Sequence, residues 1–284
     1  MEREERERRN SGTTTWDTRG LRLSDDARLG GSVSAHDLEG RVALVTGAGG
    51  GLGAGICSAL VSAGAAVAVV DVEREKAERV AAGLSRTGAR CVALETDVSD
   101  RCSVEETARR VAEDLGGVDI LINNAAIYPR RAWTEIQEEE WDRVMAVNLK
   151  GYFLCARAVY PYMKSKGRGN IVNVASITFF MGWTLLMDYV ASKGGIIGFT
   201  RTLAREVGPD NINVNAIAPG AFPTDAEKIH PDQEGYNRWV LEQQSIKRRG
   251  TPEDIGNLVT FLSSDASSFI TGQTVEIDGG WIMR

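Results

Sequence analysis

Residues 42–53 read VALVTGAGGGLG: an apolar run, Val42 to Val45, enters a glycine-rich turn, and beyond it Ile56, Leu60 and Ala63 repeat with helical spacing. The glycines therefore occupy a strand-to-helix junction. A helix that starts in this way presents unpaired backbone N–H groups and the positive end of its dipole, a combination that suits a phosphate. Gly47 allows the tight turn and Gly51 lets the backbone approach a pyrophosphate. Gly53, next to Leu52, lets the helix pack close to the strand. The spacing is G-x-x-x-G-x-G rather than the more familiar G-x-G-x-x-G.

A second all-apolar run, Ala66 to Val70, ends in Asp71, eighteen residues past Gly53. A carboxylate at that place can accept both adenosine ribose hydroxyls and would repel a 2′-phosphate, which points to NAD rather than NADP. Arg74, three residues further on, keeps mixed cofactor use open.

Chemistry is carried by a second constellation. Tyr189 and Lys193 are an i, i+4 pair in a segment of helical spacing marked by Val190, Ile197 and Leu203, so both project from one helix face. A tyrosine of pKa ~10 is a poor base at neutral pH, and a neighbouring ammonium would lower that value. Tyr189 is then the candidate general acid/base. Ser176 follows the apolar strand Ile171 to Val174, where its hydroxyl can hold a substrate oxygen beside the tyrosine.

Taken together, these motifs resemble the short-chain dehydrogenase/reductase family, and the match runs from about Leu38 to Trp281. TGAGGGLG at 46–53 is similar to the family's cofactor turn, and Asp97 with Val98 to its adenine-holding pair. NNAA at 123–126 resembles the family's NNAG, with Asn123 near the cofactor and Ala126 replacing the usual glycine. Asn148 in VNLKG, with Ser176, Tyr189 and Lys193, matches the catalytic tetrad. PGAFPT at 219–224 is similar to the segment that holds the nicotinamide carboxamide, here through Pro219, Gly220, Phe222 and Thr224. The resemblance implies that Tyr189 exchanges the alcohol proton while the nicotinamide exchanges hydride. It also implies that Ser176 orients the substrate oxygen, that Lys193 binds the nicotinamide ribose, and that Asn148 holds a water linking Lys193 to solvent.

Seven strands are expected, at Val42–Val45, Ala66–Val70, Cys91–Leu94, Asp119–Ile122, Ile171–Val174, Ile212–Ile217 and Thr274–Ile277. Helical patterns alternate with them, the longest at about Gln137–Met163 and Asp188–Val207. The fold class is α/β: a single doubly wound Rossmann domain over 38–284, with about seven parallel strands and helices on both faces. A substrate lid is expected at about 224–248. Residues 1–37, opening MEREERERR, alternate acid and base without an apolar stripe and read as a disordered or loosely docked arm.

The net charge of −6 and the absence of a broad basic block argue against nucleic acid as a partner. Cys57, Cys91, Cys102 and Cys155 lack paired metal spacing and only His36 and His230 are histidines, so no metal is expected. No long apolar run or signal peptide is evident, and a cytoplasmic protein that does not engage a membrane is expected. The resemblance also implies a homodimer or homotetramer paired through the helices that carry Asn148 and Tyr189.

For the substrate, a small molecule, pocket candidates are Tyr128, Ile177, Thr178, Phe179, Phe180, Trp183, Tyr236 and Trp239, an aromatic set that suits a ring. IYP at 127–129 and SSFITGQTVEIDGG resemble the subgroup holding pyridoxal 4-dehydrogenase and 1-phenylethanol dehydrogenase. The favoured reading is an NAD-dependent dehydrogenase of a cyclic or aromatic secondary alcohol or a cyclic hemiacetal, sugars included. A 3-oxoacyl carrier-protein reductase using NADPH is the alternative, opposed by Asp71 and by a turn without a basic residue. A catalytically silent nucleotide sensor is the reading from a different class, and an intact tetrad speaks against it.

Overall fold

The computed structural model describes residues 38–224, 227 and 232–284. The arm expected over 1–37 and part of the expected lid lie outside the described residues.

Seven parallel strands form one sheet: β1 Val42–Thr46, β2 Ala66–Asp71, β3 Cys91–Glu95, β4 Ile120–Asn123, β5 Gly169–Val174, β6 Ile212–Pro219 and β7 Thr274–Ile277. Their order is β3-β2-β1-β4-β5-β6-β7. The expected strands are all present, and their ends shift by a residue or two. β5 starts at Gly169, earlier than its apolar run, because Gly169 and Asn170 already pair with Ile212 and Asn213 of β6; the buried Asn170 side chain donates from Nδ2 to the Leu262 carbonyl at 3.2 Å.

Alternation along each strand sends side chains to two cores, as a pleated backbone requires. Val42 and Leu44 join Val104, Val111, Leu154, Val159 and Ala204 on one face. These come from α3 Arg101–Leu115, α5 Gly151–Lys166 and α7 Met187–Val207. Ala43 and Val45 join Ile56, Leu60, Ala77, Ile255 and Val259 on the other. Those belong to α1 Gly51–Ser62, α2 Arg74–Ser85 and α9 Pro252–Ser263. The remaining helices are α4 Glu138–Met145, α6 Thr178–Met181 and α8 Gln233–Gln243. The doubly wound Rossmann sheet expected from the sequence is thus the observed fold.

α1 and α9 approach closely because glycine stands at their contact. A Cβ on Gly55 would lie 2.3 Å from Pro252 Cβ, and one on Gly256 would lie 2.4 Å from Ala59 Cβ. This contact fixes α1, and α1 carries the glycine turn.

One departure bears on the site. The helix expected over 137–163 is interrupted by a π-helical turn, Ala146–Lys150, between α4 and α5. Asn148 sits in that turn. The strand order reverses between β1 and β4, so a crevice opens at the carboxyl ends of the sheet, where ligands of such sheets bind.

Candidate active site

A cleft of roughly 720 Å³ occupies this crevice, and the glycine turn, Asp71, Asp97, Ser176, Tyr189 and Lys193 all line it. At the turn, Gly47 has φ +61°, and a Cβ there would stand 2.7 Å from Ala125 Cα. A Cβ on Gly53 would stand 2.3 Å from the Gly47 carbonyl oxygen. Gly51 differs: it has φ +52°, and the nearest atom to its Cβ position, in Thr224, is 3.8 Å away. Two glycines therefore close the turn while the third leaves it open toward the cleft. No side chain caps the N-terminus of α1, so its first N–H groups remain available to an anion.

Asp71 ends β2 and also braces the turn. Its Oδ2 accepts the Gly49 N–H at 2.8 Å and its Oδ1 accepts the Glu73 N–H at 3.0 Å. A side chain at Gly49 would run into both Asp71 and Lys76, so this turn has no room for a basic residue at that position. Arg74 pairs with Glu78 at 2.7 Å and does not line the cleft, whereas Lys76 and Arg79 do. Asp97 accepts the Ser99 N–H at 2.9 Å and the Ser99 hydroxyl at 2.6 Å, bonds that hold its carboxyl below the usual range.

The two asparagines at the end of β4 divide the work differently from the sequence expectation. Asn123, proposed for the cofactor, is fully buried and does not line the cleft. It donates to Asn173 Oδ1 at 2.9 Å, and Asn173 donates to Thr200 Oγ1 at 3.0 Å, a polar chain from sheet to α7. Asn124 lines the cleft instead, donating to the carbonyls of Thr46 and Gly47 at 3.0 and 2.9 Å. Alternation of side-chain direction at the strand end accounts for the exchange.

On the opposite wall, Ser176 Oγ accepts the Thr178 N–H at 3.2 Å and the Thr178 hydroxyl at 2.9 Å. Its own proton is left for another oxygen, and a hydrogen bond links it to Tyr189. Burial pushes the Tyr189 phenol up to about 12, while the Ser176 bond pulls the other way.

Lys193 is 1% exposed, and burial pushes its ammonium down to about 7. Its Nζ donates to the Val174 carbonyl at 2.6 Å and to the Tyr152 hydroxyl at 3.3 Å, and it stands 5.4 Å from the centre of the Tyr189 ring. The expected lowering of the tyrosine by the lysine is opposed by burial, the largest influence on Tyr189. Burial dominates both groups and disfavours the charged form of each.

Asn148 is fully buried, and its side chain is committed. Oδ1 accepts the Ile127 N–H and Nδ2 donates to the Ile127 carbonyl, both at 2.8 Å, with a third bond to Ser192 Oγ at 3.2 Å. A water relayed to Lys193 would have to use the backbone here, not this amide.

Among the other cofactor candidates, Leu52, Val98, Pro219, Gly220, Phe222 and Thr224 line the cleft. Of the pocket candidates, Tyr128, Ile177, Thr178, Trp183 and Tyr236 line it, whereas Phe179, Phe180 and Trp239 do not. Phe180 packs edge-on to Phe179, beneath the Arg284 guanidinium. Trp239 stands behind Trp183 and Trp281, with ring centroids 5.7 and 5.2 Å away. Trp281, Arg130, Arg143, Leu186 and Glu227 line the cleft without having been singled out for it from the sequence. Glu227 is ion-paired with Arg249.

The family model named Enoyl-(Acyl carrier protein) reductase matches residues 47–282. A 3-oxoacyl-[acyl-carrier-protein] reductase of Staphylococcus epidermidis is 40% identical over 242 residues, which is 85% of this chain and 98% of the relative. A 2-dehydro-3-deoxy-D-gluconate 5-dehydrogenase of Dickeya dadantii is 36% identical over 256 residues, 89% of this chain and 99% of the relative. The crystal structure of a candidate short-chain alcohol dehydrogenase from Sinorhizobium meliloti 1021 superposes with a TM-score of 0.84 at 42% identity, covering 87% of this chain and 98% of that one.

Proposed function

The chain belongs to the short-chain dehydrogenase/reductase family, and from that premise we propose that it is an NAD-dependent oxidoreductase converting a ring-borne secondary alcohol or cyclic hemiacetal to its ketone or lactone, and the reverse. The observation that carries this reading is the single cleft in which an uncapped, glycine-lined helix start faces Ser176, Tyr189 and Lys193. The turn fits a dinucleotide because the added Cβ atoms that would obstruct it are absent at Gly47 and Gly53, and Gly51 opens onto the cleft. When bound in its oxidised form, NAD supplies a hydride acceptor and a positive ring charge that favours the phenolate of Tyr189.

Each residue has a distinct task. Ser176, its lone pairs filled by Thr178, directs its hydroxyl proton to the substrate oxygen and fixes that oxygen beside Tyr189. Tyr189 takes the alcohol proton in oxidation and returns it in reduction. Lys193, held by Val174 and Tyr152, stands by the Tyr189 ring and favours the phenolate in its charged form. Asn148 clamps the Ile127 backbone to the π-helical turn and so shapes the wall that Ile127 and Tyr128 present. Alignment of two bound reactants contributes on the order of 7–11 kcal/mol of the barrier reduction.

Asp71 supports NAD over NADP, since its carboxylate lies at the strand end facing the adenosine half of the cleft. A second reading, an NADPH-dependent 3-oxoacyl carrier-protein reductase, is favoured by relatives of that name at 36 and 40% identity. Lys76 and Arg79 at the same end of the cleft add to it. Following nicotinamide absorbance with NAD and NADP in parallel decides between them. Turnover of a ring alcohol or lactol with NAD upholds the first reading; reduction of an acetoacetyl thioester with NADPH alone upholds the second.

Tyr189→Phe tests the chemistry. Turnover is expected to fall by roughly 10²–10⁴-fold with NAD binding retained. Full retained activity refutes the proposed base. No described helix is long and apolar enough to cross a membrane, and among the described residues no cluster of His, Cys, Asp and Glu could hold a metal. We also propose a dimer paired through α4, α5 and α7, supported by a groove at Met145, Leu149, Phe153 and Phe199 in which Phe153 is exposed.

A further inference from the structure

Arg130 has no ion-pair partner among the described residues, although it lines the cleft and its neighbours Arg131 and Arg249 are both paired. Arg131 pairs with Glu140 at 2.6 Å. Arg249 pairs with Glu227 and lies over the Tyr236 ring, 5.8 Å from its centre. In the substrate half of the cleft, the one carboxylate among the described residues, Glu227, is thus already answered. Lys193 is buried and turned to the Val174 carbonyl. An uncommitted guanidinium remains at the mouth.

The backbone beneath Arg130 is held on both sides. Pro129 fixes its own φ, and the Arg131 N–H donates to the Leu185 carbonyl at 3.0 Å, tying this segment to the loop before α7. The charge also reaches inward: burial and then Glu227 raise the Tyr236 phenol, and the fields of Arg249 and, less strongly, Arg130 draw it back. Around this cation, Tyr128, Trp183, Tyr236 and Trp281 give the cleft apolar faces and edges that suit a ring. A planar guanidinium with five N–H donors binds carboxylate and phosphate oxygens in a two-point geometry that a water-facing lysine does not match.

We propose that Arg130 determines specificity by holding an anionic group, a carboxylate or a phosphate monoester, carried by the ring substrate whose alcohol carbon faces Ser176 and Tyr189. This rests on the oxidoreductase reading above and narrows its substrate class to ring alcohols or lactols bearing one negative charge or more. Arg130 makes no bond to the reacting atoms, and its contribution is to binding and orientation.

The test uses the full-length chain with NAD and matched substrates: D-galactose, D-galacturonate and D-galactose 6-phosphate, and 1-phenylethanol against 4-(1-hydroxyethyl)benzoate. Wild type is expected to show a KM at least about tenfold lower for a charged member than for its neutral partner, with that advantage shrinking as salt is raised. Arg130→Gln is expected to lower kcat/KM for the charged member roughly 10- to 100-fold, with a much smaller fall for the neutral member. Arg130→Lys recovers part of the loss. Preference for the carboxylate over the phosphate arm, or the reverse, names the anion. Equal effects of Arg130→Gln on charged and neutral members, or no charge preference in wild type, refute the proposal while leaving the dehydrogenase reading intact.

If none of these compounds is turned over, binding decides. Quenching of the tryptophan fluorescence, to which Trp183 and Trp281 of the cleft contribute, is titrated with 4-acetylbenzoate and with acetophenone in the presence of NAD. Tighter binding of the benzoate that Arg130→Gln abolishes upholds the anion site, and the absence of turnover then counts separately against the dehydrogenase reading. Binding that ignores Arg130, or no binding, overturns the anion site.

Discussion

Replacing Lys193 with methionine is expected to stabilise the ligand-free protein at neutral pH. Lys193 is buried from solvent, and its ammonium is pushed from 10.5 down to about 7. At 1.36 kcal/mol per unit, that drop amounts to about 5 kcal/mol of folding free energy that the charged lysine forfeits. Between pH 7 and 10.5 the unfolded chain holds the lysine proton and the folded chain does not. Wild-type stability therefore rises with pH across that window, by up to about 1.4 kcal/mol per unit, and is lost again as pH falls toward 7.

Lys193→Met has no such term. It forfeits the bond to the Val174 carbonyl, but that oxygen keeps the Tyr152 hydroxyl at 3.1 Å and is not orphaned. With about 1.5–3 kcal/mol subtracted for the lost charge-assisted bond, the variant is expected to be about 2–3.5 kcal/mol more stable at pH 7. It should be no more stable than wild type above pH 10.5. Urea denaturation of both proteins without cofactor, at unit intervals from pH 6 to 11, reads the difference. A difference that stays constant with pH, or a wild type that loses ground to the variant as pH rises, refutes the assignment of Lys193 as a lysine made costly by burial. Such a cost, borne for a site and not for the fold, is the usual exchange of stability for function.

Gly53→Ala places a methyl 2.3 Å from the Gly47 carbonyl, so NAD affinity measured by fluorescence titration should fall at least about tenfold, and unchanged affinity refutes the packing role given to this glycine. Asp71→Ser removes the repulsion of a 2′-phosphate together with the strut to Gly49 N–H. The ratio of kcat/KM for NAD over NADP is expected to fall by at least about tenfold, and an unaltered ratio removes Asp71 as the determinant. Phe153→Asp puts a charge on the exposed apolar rim of the α4, α5 and α7 face; sedimentation should report a smaller assembly, and an unchanged mass places the interface elsewhere.

The legible parts of the fold were those governed by local pattern. Strand runs such as Val42 to Val45 and Ala66 to Val70 are apolar on both faces because helices cover both, and the glycine turn announces its own junction. What escaped was set by contacts between residues distant in sequence. The π-helical turn at 146–150 has no breaker in it; Asn148 is clamped to the Ile127 backbone, twenty-one positions earlier. Likewise, nothing in NNAA tells which asparagine turns toward the glycines, since that depends on where β4 ends against β1.

Arg130 and Arg131 are adjacent and chemically identical, yet only the pairing of Arg131 with Glu140 distinguishes the tethered cation from the uncommitted one. Trp281 joins the cleft wall because the chain after β7 folds back to Trp183, whose ring centroid lies 6.1 Å away, a neighbour almost a hundred residues earlier. The reacting centre was readable because Ser176, Tyr189 and Lys193 sit at fixed offsets on one strand end and one helix. The substrate wall is assembled from the segment after β4, the loop before α7, α8 and the chain end, so its charge pattern emerges only when these four segments meet. It follows that variants of Arg130 should alter which substrate binds, whereas variants of Tyr189 should alter whether any substrate reacts.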